Sequence, residues 1–150
     1  MQPNPFATRI EFCRKLGIKA GDTIVLLDAP SFIRGMRYSL FPLADIEILD
    51  DLSGADSPDI VIFWASDSLD LAKAFELLRK RTKPEGAIWA VIPTKPIADA
   101  RGPKVYMDDL VAAARLSNLV DNKTLTFSQD ESGIRFVPRR EPPKVVKPWE

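Results

Sequence analysis

Any chemistry this chain performs has to come from carboxylates, hydroxyls and amines, because its 150 residues include no histidine and a single cysteine, Cys13. That removes the commonest general base and the commonest zinc ligand. One cysteine can form neither an intrachain disulfide nor a cysteine-type zinc site. The residues in informative places are Asp28, Pro30, Asp50, Asp51, Ser66 and Lys95. They follow or flank apolar runs that read as strands. Ligands of open α/β sheets sit beyond the carboxyl ends of such strands, so these positions form the candidate cofactor-binding set. No catalytic residue and no metal ligand can be assigned. An Asp or Lys general base is chemically available, but no spacing selects one. Each member also has a plainer role, since Asp is an ordinary loop residue that caps backbone N–H groups.

The elements that would position this set follow from apolar periodicity. Phe6, Ile10, Cys13 and Leu16 fall at helical spacing and Gly17 ends that helix. Cys13 on this stripe reads as a small buried hydrophobe rather than a reactive thiol. Thr23 to Leu27 and Asp59 to Trp64 read as strands buried on both faces, as does Ala87 to Ile92. Asp45 to Leu49 alternates and predicts a strand nearer the sheet edge. A helix is expected from the N-cap candidates Ser66-Asp67-Ser68 to about Thr82, with Arg79, Lys80, Arg81 and Lys83 at its end, where the helix dipole favours cations. Residues 93–104 read as a long loop, which points to function or mobility. Tyr106 to Leu116 predicts a helix with Asp108 and Asp109 in its first turn. Leu119 to Phe127, kinked at Asp121-Asn122, and Ile134 to Val137 predict an antiparallel hairpin.

Strands alternating with helices predict a mainly parallel sheet with right-handed crossovers, a three-layer Rossmann-like α/β domain over residues 1–137. Residues 138–150 are Pro-rich and predict an extended or disordered tail. Lys plus Arg and Asp plus Glu both total 21, which argues against nucleic-acid binding through a broad basic surface. No apolar run reaches the length of a membrane span. A cytoplasmic, reducing setting is the expectation.

Lys83-Pro84-Glu85-Gly86-Ala87-Ile88-Trp89, after the Asp-Ile-Val-Ile strand and its helix, resembles the Lys-Pro-Gly-Gly turn before a central strand of class I S-adenosylmethionine-dependent methyltransferases. Leu16-Gly17-Ile18-Lys19-Ala20-Gly21-Asp22, Leu26-Leu27-Asp28-Ala29-Pro30, Ile92-Pro93-Thr94-Lys95, Val120-Asp121-Asn122-Lys123 and Ser132-Gly133-Ile134-Arg135-Phe136-Val137 resemble a small uncharacterised bacterial family of methyltransferase-like proteins. The resemblance spans about Phe6 to Arg139. It implies a methyltransferase-like fold, with an acid after the second strand (Asp50 or Asp51) placed to meet ribose hydroxyls. Class I methyltransferases use a Gly-rich turn after the first strand so that backbone can approach the cofactor. Here Asp28-Ala29-Pro30-Ser31-Phe32 fills that turn.

The expectation is therefore a non-catalytic methyltransferase-like binding or interaction module with no cofactor, its partner a small molecule or a protein. Two rival readings are an atypical S-adenosylmethionine-dependent methyltransferase and a small-anion binder using Lys95 with Arg34 or Arg101. A homodimer is also foreseen, because a terminal hairpin leaves an edge strand to cover.

Overall fold

The structure, a computed structural model, describes residues 5–35, 41–54, 56–66, 70–101, 105–128 and 130–139. In chain order the elements are α1 (Pro5–Leu16), β1 (Thr23–Leu27), α2 (Ser31–Gly35), β2 (Glu47–Leu49) and β3 (Ile60–Trp64). They continue with α3 (Leu71–Arg81), β4 (Ala87–Pro93), α4 (Lys95–Arg101), α5 (Met107–Arg115), β5 (Leu119–Ser128) and β6 (Glu131–Pro138). The strands form one sheet in the order β2-β1-β3-β4-β6-β5. β2, β1, β3 and β4 are mutually parallel, and β6 runs antiparallel between β4 and β5.

Each face of the sheet is covered. On one face Val61, Phe63, Ile88, Ala90 and Phe136 pack with Phe75 and Leu78 of α3 and Leu110 and Ala114 of α5. On the other, Ile24, Leu26, Ile62 and Trp89 pack with Cys13 and Leu16 of α1. The strands therefore alternate side chains between two dry layers, which is why their sequence reads as unbroken apolar runs. The α1 stripe is rotated from the expected one: Phe12, Cys13 and Leu16 face the sheet, and Ile10 is 38% exposed. Gly17 (φ 83°) ends α1, with the Ile18 N–H donating to the Cys13 carbonyl at 3.0 Å. The Trp89 indole N–H donates to the Leu16 carbonyl (3.0 Å) and the Lys123 ammonium to that of Lys15 (2.8 Å). The last carbonyls of α1 thus find partners on β4 and β5.

The expected hairpin does form the antiparallel edge beyond β4, with β6 beside β4 and β5 outermost. Several other expectations need correction. β2 is shorter than Asp45 to Leu49, because Asp45 has φ 59° and cannot extend a strand. The long loop after β4 contains α4, whose small apolar Ala98 is buried. α3 is N-capped by Asp70, whose carboxylate accepts the Lys73 N–H (3.2 Å), rather than by Ser66. Residues 67–69 lie outside those described. β6 extends through Pro138, and the Arg139 N–H bonds the Asn118 carbonyl at 2.8 Å. The rest of the expected tail, 140–150, lies outside the described residues. Among the described residues no helix is long and apolar enough to cross a membrane.

The basic cluster at the end of α3 is architectural. Arg79 donates to the Ser117 carbonyl and Arg81 to the Leu52 carbonyl, each at 2.6 Å. The Lys83 ammonium lies 2.9 Å from Asp59, whose other oxygen accepts the Thr23 N–H at 2.8 Å. Partial burial pushes the Asp59 carboxyl up, but the Thr23 N–H and Lys83 outweigh it and hold the group below its ordinary value. A Cβ on Gly86 would collide with the Asp59 carbonyl oxygen. The Lys83-Pro84-Glu85-Gly86 turn thus clips the amino ends of β1, β3 and β4 together, on the side of the sheet opposite the candidate residues.

Candidate functional site

Strand register decides what meets at the carboxyl edge. Leu49 lies beside Val25, Leu27 beside Phe63, and Trp64 beside Val91. Asp28, Asp50, Asp51, Ser66 and Lys95 therefore all emerge from one edge of the sheet, as their positions after the strands imply. They do not form one cluster. β3 separates β1 from β4, so Asp28 and Lys95 leave strands roughly 10 Å apart. Asp50 leaves a strand one step further away.

The turn after β1 is built from side-chain-bearing residues in a tight conformation. Asp28 is exposed and has φ 56°. That left-handed geometry costs a residue with a Cβ roughly 1–2 kcal/mol, although Asp tolerates it better than most. Ala29 is only 5% exposed and packs in the α1-side layer. Pro30 has no N–H, and its carbonyl accepts the Ile33 N–H at 2.9 Å as α2 begins. The side chains of Phe32, Arg34 and Arg101 lie outside the described residues.

At the end of β2, Asp51 is committed to its own loop. Its carboxylate accepts from the Ser53 hydroxyl (2.5 Å) and the Ser53 N–H (2.9 Å). These bonds, the hydroxyl's first, hold its carboxyl below the ordinary value. Asp50 and Ser66 stand exposed at their strand ends. Cys13 is fully buried in the α1-side layer, and that burial pushes its thiol up to about 11, as suits a packing group.

Lys95, the first residue of α4, belongs to a different concavity. A groove of about 540 Å³ lies at the carboxyl end of β4, between the sheet and the helices α4 and α5. Its floor is Ile92 and Ile134, with Thr124 and Ser132 beside them in register. Its rim carries Lys95 and Asp99 from α4 and Asp108 and Asp109 from the first turn of α5. The Tyr106 hydroxyl donates to Asp99. That bond, then partial burial and the nearby carboxylates, raises the phenol to about 12. The Asp109 carboxylate accepts the Tyr106 N–H (2.9 Å), tying down the first turn of α5.

Tyr106, Asp99, Thr124 and Ser132 were absent from the sequence-derived set. Asp108 and Asp109 carried the available signal, the acidic start of a helix. Without α4, nothing in the sequence brought Asp99 to it. Trp64 and Trp89, expected in the core, differ. Trp89 is fully buried, whereas Trp64 is partly exposed at the carboxyl end of β3. Both join Phe12 in packing around the ring of Phe127. Among the described residues no group of acids, histidines or cysteines has the arrangement of a metal site.

No protein-family model matches the sequence, and no curated protein matches it. Solved structures do resemble it in fold. A Sulfolobus solfataricus protein provisionally assigned as a type 11 methyltransferase superposes with a TM-score of 0.61 at 14% identity, covering 92% of this chain and 94% of its own. An S-adenosylmethionine-dependent methyltransferase from Clostridium acetobutylicum gives 0.57 at 8% identity, covering 93% of each chain. The glycopeptide N-methyltransferase MtfA, solved with sinefungin, gives 0.55 at 12% identity, covering 92% of this chain and 95% of its own. At such identities the likeness concerns the fold alone, and it agrees with the strand order, the parallel core and the inserted antiparallel β6: the chain has a methyltransferase-like α/β fold.

Proposed function

We propose that this chain is a methyltransferase-like binding module that does not itself transfer methyl groups. The turn after β1 carries this reading. A backbone cradle for S-adenosylmethionine needs exposed N–H groups and no intruding Cβ. Here Asp28 and Ala29 bring side chains, Ala29 is packed into the core, and Pro30 offers no N–H. Of the two acids positioned for ribose, Asp51 already serves Ser53. The turn does not fit the cofactor in the pose a Gly-rich loop allows, and we derive no step through it. A reducing, cytoplasmic setting is in keeping with a single, buried cysteine, Cys13.

One observation favours the rival reading of an atypical methyltransferase. The left-handed φ of Asp28 keeps a backbone shape that glycine would supply without strain, and Asp50 stands at the expected strand end. The small-anion reading draws less support, because Lys95 shares its groove with Asp99, Asp108 and Asp109.

Calorimetric titration with S-adenosylmethionine and S-adenosylhomocysteine separates the first two. The expected result is no heat of binding and no thermal shift at high ligand concentration. Saturable binding with a micromolar dissociation constant, about −8 kcal/mol, weakened in Asp50→Ala, would establish the methyltransferase reading instead.

A further inference from the structure

We propose that the groove between α4, α5 and the β4–β6–β5 face is a binding site for a small organic cation, a protonated amine on an apolar body. Its size lies in the range of small-molecule sites, at about 540 Å³. Its floor is apolar: Ile92 and Ile134 come from neighbouring strands and face the α5 side of the sheet. Met107, 39% exposed, stands at the start of α5 beside it. An aliphatic or aryl body would remove this surface from water.

The polar groups select the charge. Among the described residues, three carboxylates, Asp99, Asp108 and Asp109, line the groove against one ammonium, Lys95. The helix dipole accounts for Asp108 and Asp109 taken alone. It does not account for Asp99, which comes from the middle of α4. Nor does it account for Tyr106, whose hydroxyl proton is spent on Asp99. That bond leaves the phenol oxygen with only lone pairs to offer, and ionised carboxylates are acceptors only. The acidic rim and the phenol oxygen therefore offer acceptors only, the Thr94, Thr124 and Ser132 hydroxyls can accept as well as donate, and a ligand that brings donors and positive charge meets them best. The amino end of α5 would attract an anion, but Asp108 and Asp109 already occupy that first turn. The tyrosine ring adds a π-face on which an ammonium can rest. The proposal does not depend on whether the β1 turn takes S-adenosylmethionine, because that turn lies two strands away.

The test uses three ligands of one shape and different charge: benzylammonium, benzyl alcohol and benzoate. Each is titrated into the whole ¹⁵N-labelled protein while amide shifts are followed. Saturable shifts at Thr94, Asp99, Thr124 and Ser132 are expected with benzylammonium alone. The double variant Asp99→Asn, Asp108→Asn should weaken its binding about tenfold or more, the size of one charge-assisted contact. Equal response to all three ligands, shifts elsewhere only, or no response to benzylammonium up to its solubility limit would overturn the assignment. Because the charge comparison is made on the unaltered protein, it stands even if the double variant fails to fold.

Discussion

At the scale of single residues, the phenol of Tyr106 reports on the groove. The chain has two tyrosines, Tyr38 and Tyr106. Hydrogen bonding to Asp99 stabilises the neutral phenol, and the carboxylate charge opposes its ionisation, so both effects raise the pKa, to about 12. A spectrophotometric titration of the tyrosinate band should show Tyr106 ionising near that value, and Asp99→Asn should bring it down towards the ordinary 10 or so. A titration unchanged by Asp99→Asn would mean that the two side chains do not meet in solution. This pair was invisible in the sequence for a concrete reason. Asp99 and Tyr106 meet only because α4 folds within what composition alone presents as a loop with Pro93, Pro96, Gly102 and Pro103. Asp28, Asp50 and Lys95 were legible, because a polar residue directly after a buried strand must leave the sheet at its edge.

At the scale of elements, the hairpin β5–β6 explains residues that looked functional. Asn122 falls at a register shift between Asp121 and Lys123, and a second shift lies between Thr126 and Ser128. The first lets Lys123 reach the end of α1, which gives Asn122-Lys123 a structural task. The second falls at Phe127, which, like Leu125 two residues before it, lies on the α1 side of the sheet. There it meets Phe12 edge-on, with ring centroids 5.3 Å apart, and lies against Trp64 and Trp89. Gly133 makes this possible, since a Cβ there would fall within the Phe127 ring. Gly133→Ala should therefore destabilise the fold by about 1–3 kcal/mol through overpacking. A coupled Phe127→Leu change should return part of that loss, and denaturant melts of the single and double variants measure both. If Gly133→Ala were neutral, Phe127 would not pack over β6. The hairpin itself was legible from its apolar alternation. Which of its strands lies beside β4 was not, because sequence order carries no direct information on whether a returning strand pairs inside or outside its partner.

At the scale of the molecule, the question is how the sheet ends. Its outer strands are β2, of three residues, and β5, of ten. A short strand offers little to pair with. β5 is long enough to recruit a second copy, and the foreseen homodimer would draw on it. Its pairing edge, however, is interrupted by two register shifts and carries the charged Lys123, the devices by which natural sheets discourage edge-to-edge association. Association through β5 would also have to displace or accommodate the Lys123 contact to α1. The expected outcome of sedimentation equilibrium is thus a monomer at micromolar concentration. A stable dimer would direct attention to other surfaces, and the discriminating variant is Thr124→Pro, which removes a backbone donor on β5. A dimer that survives this change is not built on the β5 edge, whereas one that dissociates while the monomer stays folded pairs strand to strand despite the bulges.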